Sequence, residues 1–239
     1  MEQAICPICK KEVIYKYKIY DSDGKTFTEW FHCACGSMFH LKPILKEYFN
    51  ENYLSKYKDM LDVEHRFEYF FRVYAPLIED LTYGRKFLDV GFTLPYAMKY
   101  MEKRGWISKG IDLIPNDYIT GDFETYEFNE KFDLIHFGHC LESFNDITGA
   151  INKAYDLLNK DGLLIITHPN PKLLFELGIK GFGHWDWREE WLFIDKRELI
   201  KLCKVLGFKV ILKRTNYGQR YVEWNDTHLI LQREDWNEE

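Results

Sequence analysis

The amino-acid sequence predicts an α/β fold, in which a mostly parallel sheet is covered by helices on both faces. From Lys86 onward, short apolar runs alternate with stretches whose apolar residues recur at helical spacing. Strands and helices that alternate at this interval form parallel sheets, because each crossover lays a helix on a face of the sheet. A chain of 239 residues can bury one core of this kind together with a small additional module. We divide it into residues 1–42, 43–82 and 83–239.

Residues 1–42 predict a small metal-binding module. The segments VIYKYKIY and TFTEWF are typical of strands, and the Asp-Ser-Asp-Gly turn between them favours a hairpin. Two close cysteine pairs flank the hairpin, Cys6 with Cys9 and Cys33 with Cys35. In a reducing compartment, such pairs indicate a metal site rather than disulfides.

The four cysteines resemble the ligands of a zinc ribbon. Two pairs on hairpin turns would give the closed tetrahedral shell of a structural zinc ion, which a module of this size needs for stability. One residue separates Cys33 from Cys35, whereas two residues commonly separate the ligands of such a pair. Counted back from Cys35, His32 therefore stands at the position of the usual first ligand. The predicted ligands are therefore Cys6, Cys9, Cys33 and Cys35, or three of these cysteines with His32. His40 is a third candidate ligand, and four reduced cysteines without a metal are the alternative to a zinc site.

Residues 43–82 predict a helical cap. Apolar residues recur at helical spacing over residues 44–49 and again over residues 67–81. Pro76 is expected to kink the second helix or to restart it, because proline removes a helical hydrogen bond. We expect these helices to cover the pocket of the main domain.

Residues 83–239 predict the main domain. Its elements, in order, are the strand KFLDV, a helix over 94–104, the strands SKGIDLI, YITGDF and FDLIHFGH, a helix over 146–159, the strand GLLIITH, a helix over 195–206, and the strands FKVILKR and THLILQR. The last helix has an N-cap pattern in Asp195 and Glu198, and it ends at Gly207.

The ends of the strands carry the candidate ligand-binding residues. In open parallel sheets, ligands bind beyond the carboxyl ends of the strands, at the point where the strand order reverses. The residues at or after the first three strands are Asp89 and Gly91, Asp112 and Leu113, and Asp122 and Phe123. An acidic residue about twenty positions after a glycine turn suits a ribose diol, because a carboxylate can accept both hydroxyl protons. Asp122 beside Phe123 suits an adenine amino group with an aromatic ring packed against it.

Six segments between residues 85 and 215 share an order and spacing with a known family. They are FLDVG, GIDL, GDFE, FDLIHFGHCLES, LLNKDGLLIITHPN and LIKLCKVLGFKV. In this order they resemble the class I S-adenosylmethionine-dependent methyltransferases, particularly the branch related to quinone-biosynthesis methyltransferases. The resemblance implies a Rossmann-like, seven-stranded sheet that is mostly parallel with an antiparallel last strand, formed here by 208–214 and 227–232. It also implies S-adenosylmethionine as the cofactor, held by the following residues: Asp89, Gly91, Thr93, Asp112, Leu113, Asp122, Phe123 and Gly138.

The first loop departs from this family, which usually carries two or three glycines there. Here Gly91 is followed by Phe92, Thr93, Leu94 and Pro95. A dinucleotide needs the close backbone approach that glycine permits, because its pyrophosphate sits on a helix N-terminus. S-adenosylmethionine has no phosphate, so one glycine could suffice, and the loop argues against a dehydrogenase. Thr93 could cap the following helix, with Pro95 in its first turn. Phe92 or Leu94 could narrow the pocket.

Two histidines are candidates for the catalytic chemistry. Methyl transfer from a sulfonium is an in-line displacement, so the protein mainly aligns the acceptor and removes a proton from an O–H or N–H group. His139, which follows the fourth strand, is the first candidate together with Glu142, and a structural role for His139 is the alternative. Ser143 stands where the family often has a histidine. His184 is the second candidate, in the segment GFGHWDWREEWLF, which either borders the acceptor, as in the family, or forms an amphipathic lid.

The composition argues against two classes of partner. The net charge of −6 and the lack of a basic run argue against nucleic acid. No apolar stretch reaches the roughly eighteen residues of a membrane span, so we expect a cytoplasmic protein without a membrane partner.

The sequence therefore predicts methyl transfer from S-adenosylmethionine to a small-molecule or carbohydrate-like acceptor, with a structural zinc ion. Two alternatives remain open. One is a non-catalytic adaptor with the same fold, whose zinc ribbon docks a protein partner. The other is an RNA methyltransferase that grips RNA with the ribbon, for which a salt-sensitive affinity for RNA would be expected.

Overall fold

The amino-terminal strands contribute to two small antiparallel sheets within the part of the chain that the computed structural model describes, which is residues 3–20, 27–42, 46–58, 63–172, 188–215 and 226–234. These strands are β1 (Ala4–Ile5), β2 (Glu12–Val13), β3 (Lys16–Tyr20), β4 (Phe27–His32) and β5 (Met38–Phe39). β1 pairs with β2, and β4 pairs with both β3 and β5. The hairpin that the sequence predicts is therefore formed by β3 and β4.

Helices follow these strands, as the sequence predicts. They are a short 3-10 helix (Lys46–Tyr48), α1 (Glu51–Lys58) and α2 (Val63–Leu81). α2 continues through Pro76 as one helix, so the proline does not restart it. Phe71, Ala75 and Ile78 are buried at helical spacing and pack against one face of the main sheet. Of the helices that the structure describes, none is both long and apolar enough to cross a membrane.

The main sheet contains seven strands within the described residues. The remaining strands of the chain are β6 (Lys86–Val90), β7 (Ile107–Asp112), β8 (Ile119–Thr120), β9 (Phe132–Gly138), β10 (Leu158–Pro169), β11 (Leu192–Phe193), β12 (Phe208–Thr215) and β13 (Asp226–Arg233). All of these except β11 belong to the main sheet, in the order β12-β13-β10-β9-β6-β7-β8. β13 runs antiparallel to both of its neighbours, and the other pairs are parallel. The predicted sheet with its antiparallel last strand is confirmed.

The strand order reverses between β6 and β9. β7 and β8 lie on one side of β6, whereas β9 and β10 lie on its other side. Ligands of open parallel sheets bind at such a reversal, beyond the carboxyl ends of the strands. The loops after β6 and β9 therefore border the candidate site.

Helices cover both faces of the main sheet. Those of the main domain that the structure describes are α3 (Tyr96–Glu102), α4 (Ile147–Leu157) and α5 (Lys196–Val205). In β9, Leu134 packs with residues of α2 and α3 on one face, and Ile135 packs with residues of α4 and α5 on the other. Strands that are covered on both faces are apolar along most of their length rather than alternating. This is why β9 and its neighbours appear in the sequence as short apolar runs.

The N-terminus of α5 confirms the predicted cap and adds a contact to the amino-terminal strands. Asp195 accepts the backbone N–H of Arg197 at 2.9 Å, and the helix ends before Gly207, whose φ is +90°. The sequence pattern predicts that the side chain of Glu198 accepts the backbone N–H of Asp195. In the structure this N–H donates to Ser37 Oγ at 3.1 Å. The cap of α5 is therefore shared with the loop that carries the second cysteine pair.

β11, which lies just before α5, joins the amino-terminal sheet. Its residues Leu192 and Phe193 pair with Phe39 and Met38 of β5. The ring of Phe193 also stacks on Trp30, with 4.9 Å between the ring centroids and 2° between their planes. The segment before α5 is thus packed between the main domain and the amino-terminal strands.

Candidate active site

The loop after β6 turns sharply at Gly91. Its φ of +64° lies in the left-handed region, which glycine adopts at little cost. A Cβ at this position would lie 2.6 Å from Cβ of Cys140, in the segment after β9. One glycine therefore permits both the turn and the close packing of the two loops at the strand-order reversal.

Asp112, at the end of β7, fixes the same loop. Its Oδ2 accepts the backbone N–H of Thr93 at 2.9 Å, and its Oδ1 accepts that of Ile114 at 2.8 Å. The first bond holds Thr93 at a φ of +50°, which is uncommon for a β-branched residue. Burial raises the pKa of Asp112, and the two N–H groups oppose this effect only in part. A carboxylate has about four acceptor positions, so each oxygen of Asp112 keeps capacity for a further donor.

Two expectations for this loop need correction. Thr93 does not cap α3, because the N-cap residue of that helix is Pro95. Phe92 is 5% exposed and its ring packs against Gly110, where a Cβ would lie 2.6 Å from Phe92 Cε1. Leu94 is also buried. Phe92 therefore belongs to the core and does not narrow a pocket, and Gly110 provides the space for its ring.

Asp122 and Phe123, which follow β8, have different surroundings. Asp122 Oδ1 accepts the backbone N–H of Glu124 at 3.0 Å, and its Oδ2 accepts a hydrogen bond from the ammonium of Lys46. Phe123 is 3% exposed, and its ring stacks on Phe144 with 5.9 Å between the centroids. Its position in the core does not favour the predicted packing against an adenine ring.

Asp89 and Gly138 are both tied to His136. Asp89 and His136 lie in register on β6 and β9, and Nδ1 of the histidine lies 2.8 Å from Oδ1 of the carboxylate. A Cβ at Gly138 would collide with the ring of His136. Since Asp89 and His136 are both buried, this pair links the two strands at the reversal point. Leu113 is half-buried beside Asp112.

His139 lies between two carboxylates. Its Nε2 lies 3.0 Å from Oδ2 of Asp226, and its Nδ1 lies 3.7 Å from Oε1 of Glu142. The side chain of His139 is 24% exposed, whereas that of Glu142 is fully buried. The structure thus brings together His139 and Glu142, the predicted catalytic pair, and adds a second carboxylate.

A second histidine, His168 at the end of β10, reaches Glu142 from the other side. The backbone N–H of Ile194 donates to Nε2 of His168 at 2.8 Å, so this nitrogen accepts a hydrogen bond and carries no proton. The proton therefore resides on Nδ1, which lies 3.2 Å from Oε2 of Glu142 and donates to it. His168 is neutral in this arrangement, and it orients the carboxylate without balancing its charge.

The charge of the cluster is consequently balanced by His139. Burial lowers the pKa of His139, but the charges of Asp226 and Glu142 outweigh burial and raise it to about 10. Burial raises the pKa of Glu142, whereas the charge of His139 and the hydrogen bond from His168 bring this pKa well below its usual range. Both nitrogens of His139 face carboxylates, so the ring is an imidazolium near neutral pH. A role as a general base requires that it first lose a proton, and this role stays a prediction.

Asp226 is not predicted by any motif in the sequence. It reaches His139 because β13 runs antiparallel beside β10, with Asp226 opposite Pro169, the last residue of β10. The first residue of β13 lies beside the carboxyl end of β10, because the two strands run in opposite directions. The antiparallel direction of the last strand, which the family resemblance implies, is the signal from which Asp226 could be found.

Residues 188–195, which we call the bridging segment, connect this cluster to the amino-terminal strands. The hydroxyl of Ser143 donates to the carbonyl of Glu189 at 2.5 Å, and the backbone N–H of Trp191 donates to the carbonyl of Glu142 at 3.1 Å. On its other side, the segment pairs with β5 through β11. His184 lies outside the described residues, and its catalytic role stays a prediction.

The four cysteines of the amino-terminal module come together. Sγ of Cys6 lies 3.9 Å from Sγ of Cys35, and Sγ of Cys9 lies 3.4 Å from Sγ of Cys33. All four sulfur atoms lie within 4.8 Å of one another. Zn–S bonds of about 2.3 Å in a tetrahedral site would separate the sulfurs by roughly 3.8 Å, so the arrangement fits a zinc ion. Among the described residues, the group with this geometry contains the four cysteines and not His32.

Comparisons with known proteins agree with this architecture. A protein-family model described as "Methyltransferase domain" matches residues 63–213. No curated protein sequence matches the chain. Many solved structures share its fold, and three of them illustrate the likeness.

The first is a 1,6-didemethyltoxoflavin-N1-methyltransferase from Burkholderia thailandensis, with 1,6-didemethyltoxoflavin and S-adenosylhomocysteine bound. It is 14% identical, has a TM-score of 0.61, and the alignment covers 91% of this chain and 99% of that one. The second, magnesium protoporphyrin IX methyltransferase from Synechocystis with bound S-adenosylhomocysteine, is 16% identical with a TM-score of 0.58, over 79% and 97% of the two chains. The third, an N-methyltransferase from Bradyrhizobium japonicum in complex with S-adenosylhomocysteine, is 15% identical with a TM-score of 0.52, over 76% and 96%. At these identities the likeness shows a common fold.

The raised pKa of His139 predicts a pH dependence of stability. A group whose pKa is raised by folding stabilises the native state fully below its ordinary pKa of 6.5, and this contribution is lost as the pH approaches about 10. The free energy of unfolding, measured with urea over this range, should therefore fall more steeply for the wild-type chain than for His139→Asn.

Asparagine suits this site because it tolerates the φ of +52°. Burial lowers the pKa of His32, so His32→Asn is a control that should keep the wild-type slope. Equal slopes for the wild type and His139→Asn would contradict the assignment.

Proposed function

The chain belongs to the methyltransferase domain family, and we propose on this basis that it transfers the methyl group of S-adenosylmethionine to a small-molecule acceptor. The family match confirms the predicted enzyme class. The observation that carries the proposed cofactor is the convergence of Gly91, Asp112 and Asp122 from three successive strands on the edge where the strand order reverses. The finer assignment to the quinone-biosynthesis branch stays a prediction.

The residues present fit S-adenosylmethionine. Asp112 is held in place by two backbone N–H groups, and its remaining acceptor capacity matches the two hydroxyls of a ribose. Asp122 offers a carboxylate to the amino group of adenine. The turn at Gly91 allows a phosphate-free ligand to approach the backbone. When bound, S-adenosylmethionine supplies a methyl group on a sulfonium, which a nucleophile displaces in line.

The acceptor would bind beside His139. This side chain is partly exposed at the strand edge, and Asp226 and Glu142 hold its ring in one orientation. The protein's contribution there is to align the acceptor and to exclude water, which are the main requirements of an in-line displacement. Removal of a proton by His139, or by His184, remains the predicted additional step for an O–H or N–H acceptor.

A small molecule is the favoured class of acceptor. The structural neighbours described above include enzymes named for 1,6-didemethyltoxoflavin and magnesium protoporphyrin IX, and the net charge of −6 does not favour RNA. The features that favour the adaptor alternative are the bulky residues Phe92 and Leu94 and the serine at position 143, whereas the retained Asp112 and Asp122 oppose it. Phe92 is buried against Gly110, so the bulk of its ring is no evidence for a lost cofactor site.

We also propose that the cysteine cluster binds a structural zinc ion. Four thiolates complete a tetrahedral shell and leave no coordination position for a substrate. The site would fix the loop of Cys33 and Cys35, whose neighbour Ser37 accepts the N–H of Asp195. Docking of a protein partner on this module stays a prediction.

Calorimetric titration with S-adenosylmethionine and S-adenosylhomocysteine tests the cofactor assignment. The wild-type chain should bind both, and Asp112→Ala should bind about tenfold more weakly or worse, because a hydrogen bond to a charged group contributes about 1.5–3 kcal/mol. Asp117 is exposed in the loop that follows Asp112, and Asp117→Ala is a matched control that should keep wild-type affinity. A folded wild-type chain that binds neither ligand would refute the proposed function.

Measurement of metal content tests the zinc site. Protein purified without chelators should contain stoichiometric zinc, and Cys33→Ser should lose it and unfold at lower temperature, since metal binding contributes directly to folding. Cys203 is buried but is not one of the four clustered cysteines, so Cys203→Ala is the control and should retain zinc. Retention of full zinc by Cys33→Ser, or a metal-free wild-type protein, would contradict the proposal.

A further inference from the structure

Lys46 connects the helical cap to the candidate cofactor site. It begins the short 3-10 helix of the cap and lies 76 positions before Asp122 in the chain. Its Nζ donates a hydrogen bond to Oδ2 of Asp122 and lies 3.5 Å from Oε2 of Glu124. An element outside the main sheet therefore places a cation on the carboxylate that follows β8.

The surroundings of the two carboxylates show why this contact matters. Oδ1 of Asp122 accepts the backbone N–H of Glu124 at 3.0 Å, which fixes the orientation of the carboxylate. Glu124 is itself engaged, because its two oxygens accept the backbone N–H of Asp146 at 2.7 Å and the amide of Asn145 at 3.2 Å. Oδ2 of Asp122 is thus held by the side chain of Lys46, whereas Oδ1 is held by the backbone.

The same short helix contacts the bridging segment. The guanidinium of Arg188 lies 4.7 Å from the ring centroid of Tyr48, two residues after Lys46. A movement of this short helix would therefore change the surroundings of both Asp122 and the bridging segment. Lys46 is 39% exposed, so water can solvate its ammonium when the contact with Asp122 breaks.

We propose that Lys46 is a latch that occupies the position at Asp122 needed by the amino group of adenine. The amino group of adenine would compete with the ammonium for Oδ2, so cofactor binding weakens or displaces the contact between Lys46 and Asp122. This inference rests on the proposed function, because it takes Asp122 as the residue that contacts adenine. An ammonium bonds to a carboxylate more strongly than a neutral amino group does, so the exchange lowers the apparent affinity for the cofactor.

Titration of S-adenosylhomocysteine against three lysine variants tests the latch. Lys46→Met keeps much of the side-chain length but removes the charge, and it should bind S-adenosylhomocysteine roughly two- to fivefold more tightly than the wild type, the range expected for a partly exposed ion pair. Lys46→Arg keeps a cation at Asp122 and should remain near wild-type affinity. Lys16 forms a comparable pair with Glu29 in the amino-terminal hairpin, and Lys16→Met is the matched control that should change nothing.

The salt dependence gives a second, independent measurement. Salt screens an exposed ion pair, so the affinity of the wild type for S-adenosylhomocysteine should rise with ionic strength, and that of Lys46→Met should not. Tighter binding by Lys46→Met, or binding by this variant alone, supports the latch. Equal or weaker binding by Lys46→Met, while the wild type binds, overturns the latch and leaves the proposed function intact. A lack of binding by both folded proteins overturns the two together.

Discussion

The structure depends on a carboxylate that is completely removed from water, that of Glu142. A buried charge is costly unless it is paired and hydrogen-bonded, so the chain must hold donors around it. His139 approaches from the end of β9, and His168 approaches from the end of β10. The backbone carbonyl of Glu142 also accepts the N–H of Trp191 in the bridging segment. Three separate parts of the chain therefore meet at one residue, Glu142, at the edge of the sheet.

This constraint extends to the cysteine cluster. His168 accepts the N–H of Ile194, and the next residue, Asp195, donates its own N–H to Ser37 beside the second cysteine pair. Between these contacts, β11 pairs with β5. A metal ion bound by the cysteines would thus stabilise a loop that is linked by hydrogen bonds to the candidate active site. The strand pairing and these hydrogen bonds thus connect the amino-terminal strands to the residues around Glu142.

Much of the fold could be predicted from the sequence because its signals are local. Strands buried on both faces appear as apolar runs, Asp195 marks the start of α5, and the two cysteine pairs mark the four-cysteine group. The site was predictable only in part, because side-chain direction and long-range contacts are not local. A sequence places Phe123 beside Asp122 but does not tell whether its ring faces a ligand or the core.

Other features of the site depend on the assembled sheet. Asp226 reaches His139 because β13 inserts antiparallel beside β10. Lys46 reaches Asp122 across the boundary between the cap and the sheet. Gly91, which the family resemblance links to the cofactor, is also required by Cys140 on the neighbouring loop. This packing gives a physical reason for a loop that retains one glycine and accepts bulky residues after it.

The most direct test of the account is a crystal structure of the full chain grown with saturating S-adenosylhomocysteine. The account predicts that the ligand lies beyond the ends of β6 and β9, with its ribose on Asp112 and its adenine amino group on Asp122. A structure in which the ligand binds elsewhere, or in which this edge of the sheet remains without it at saturating concentration, would contradict the account.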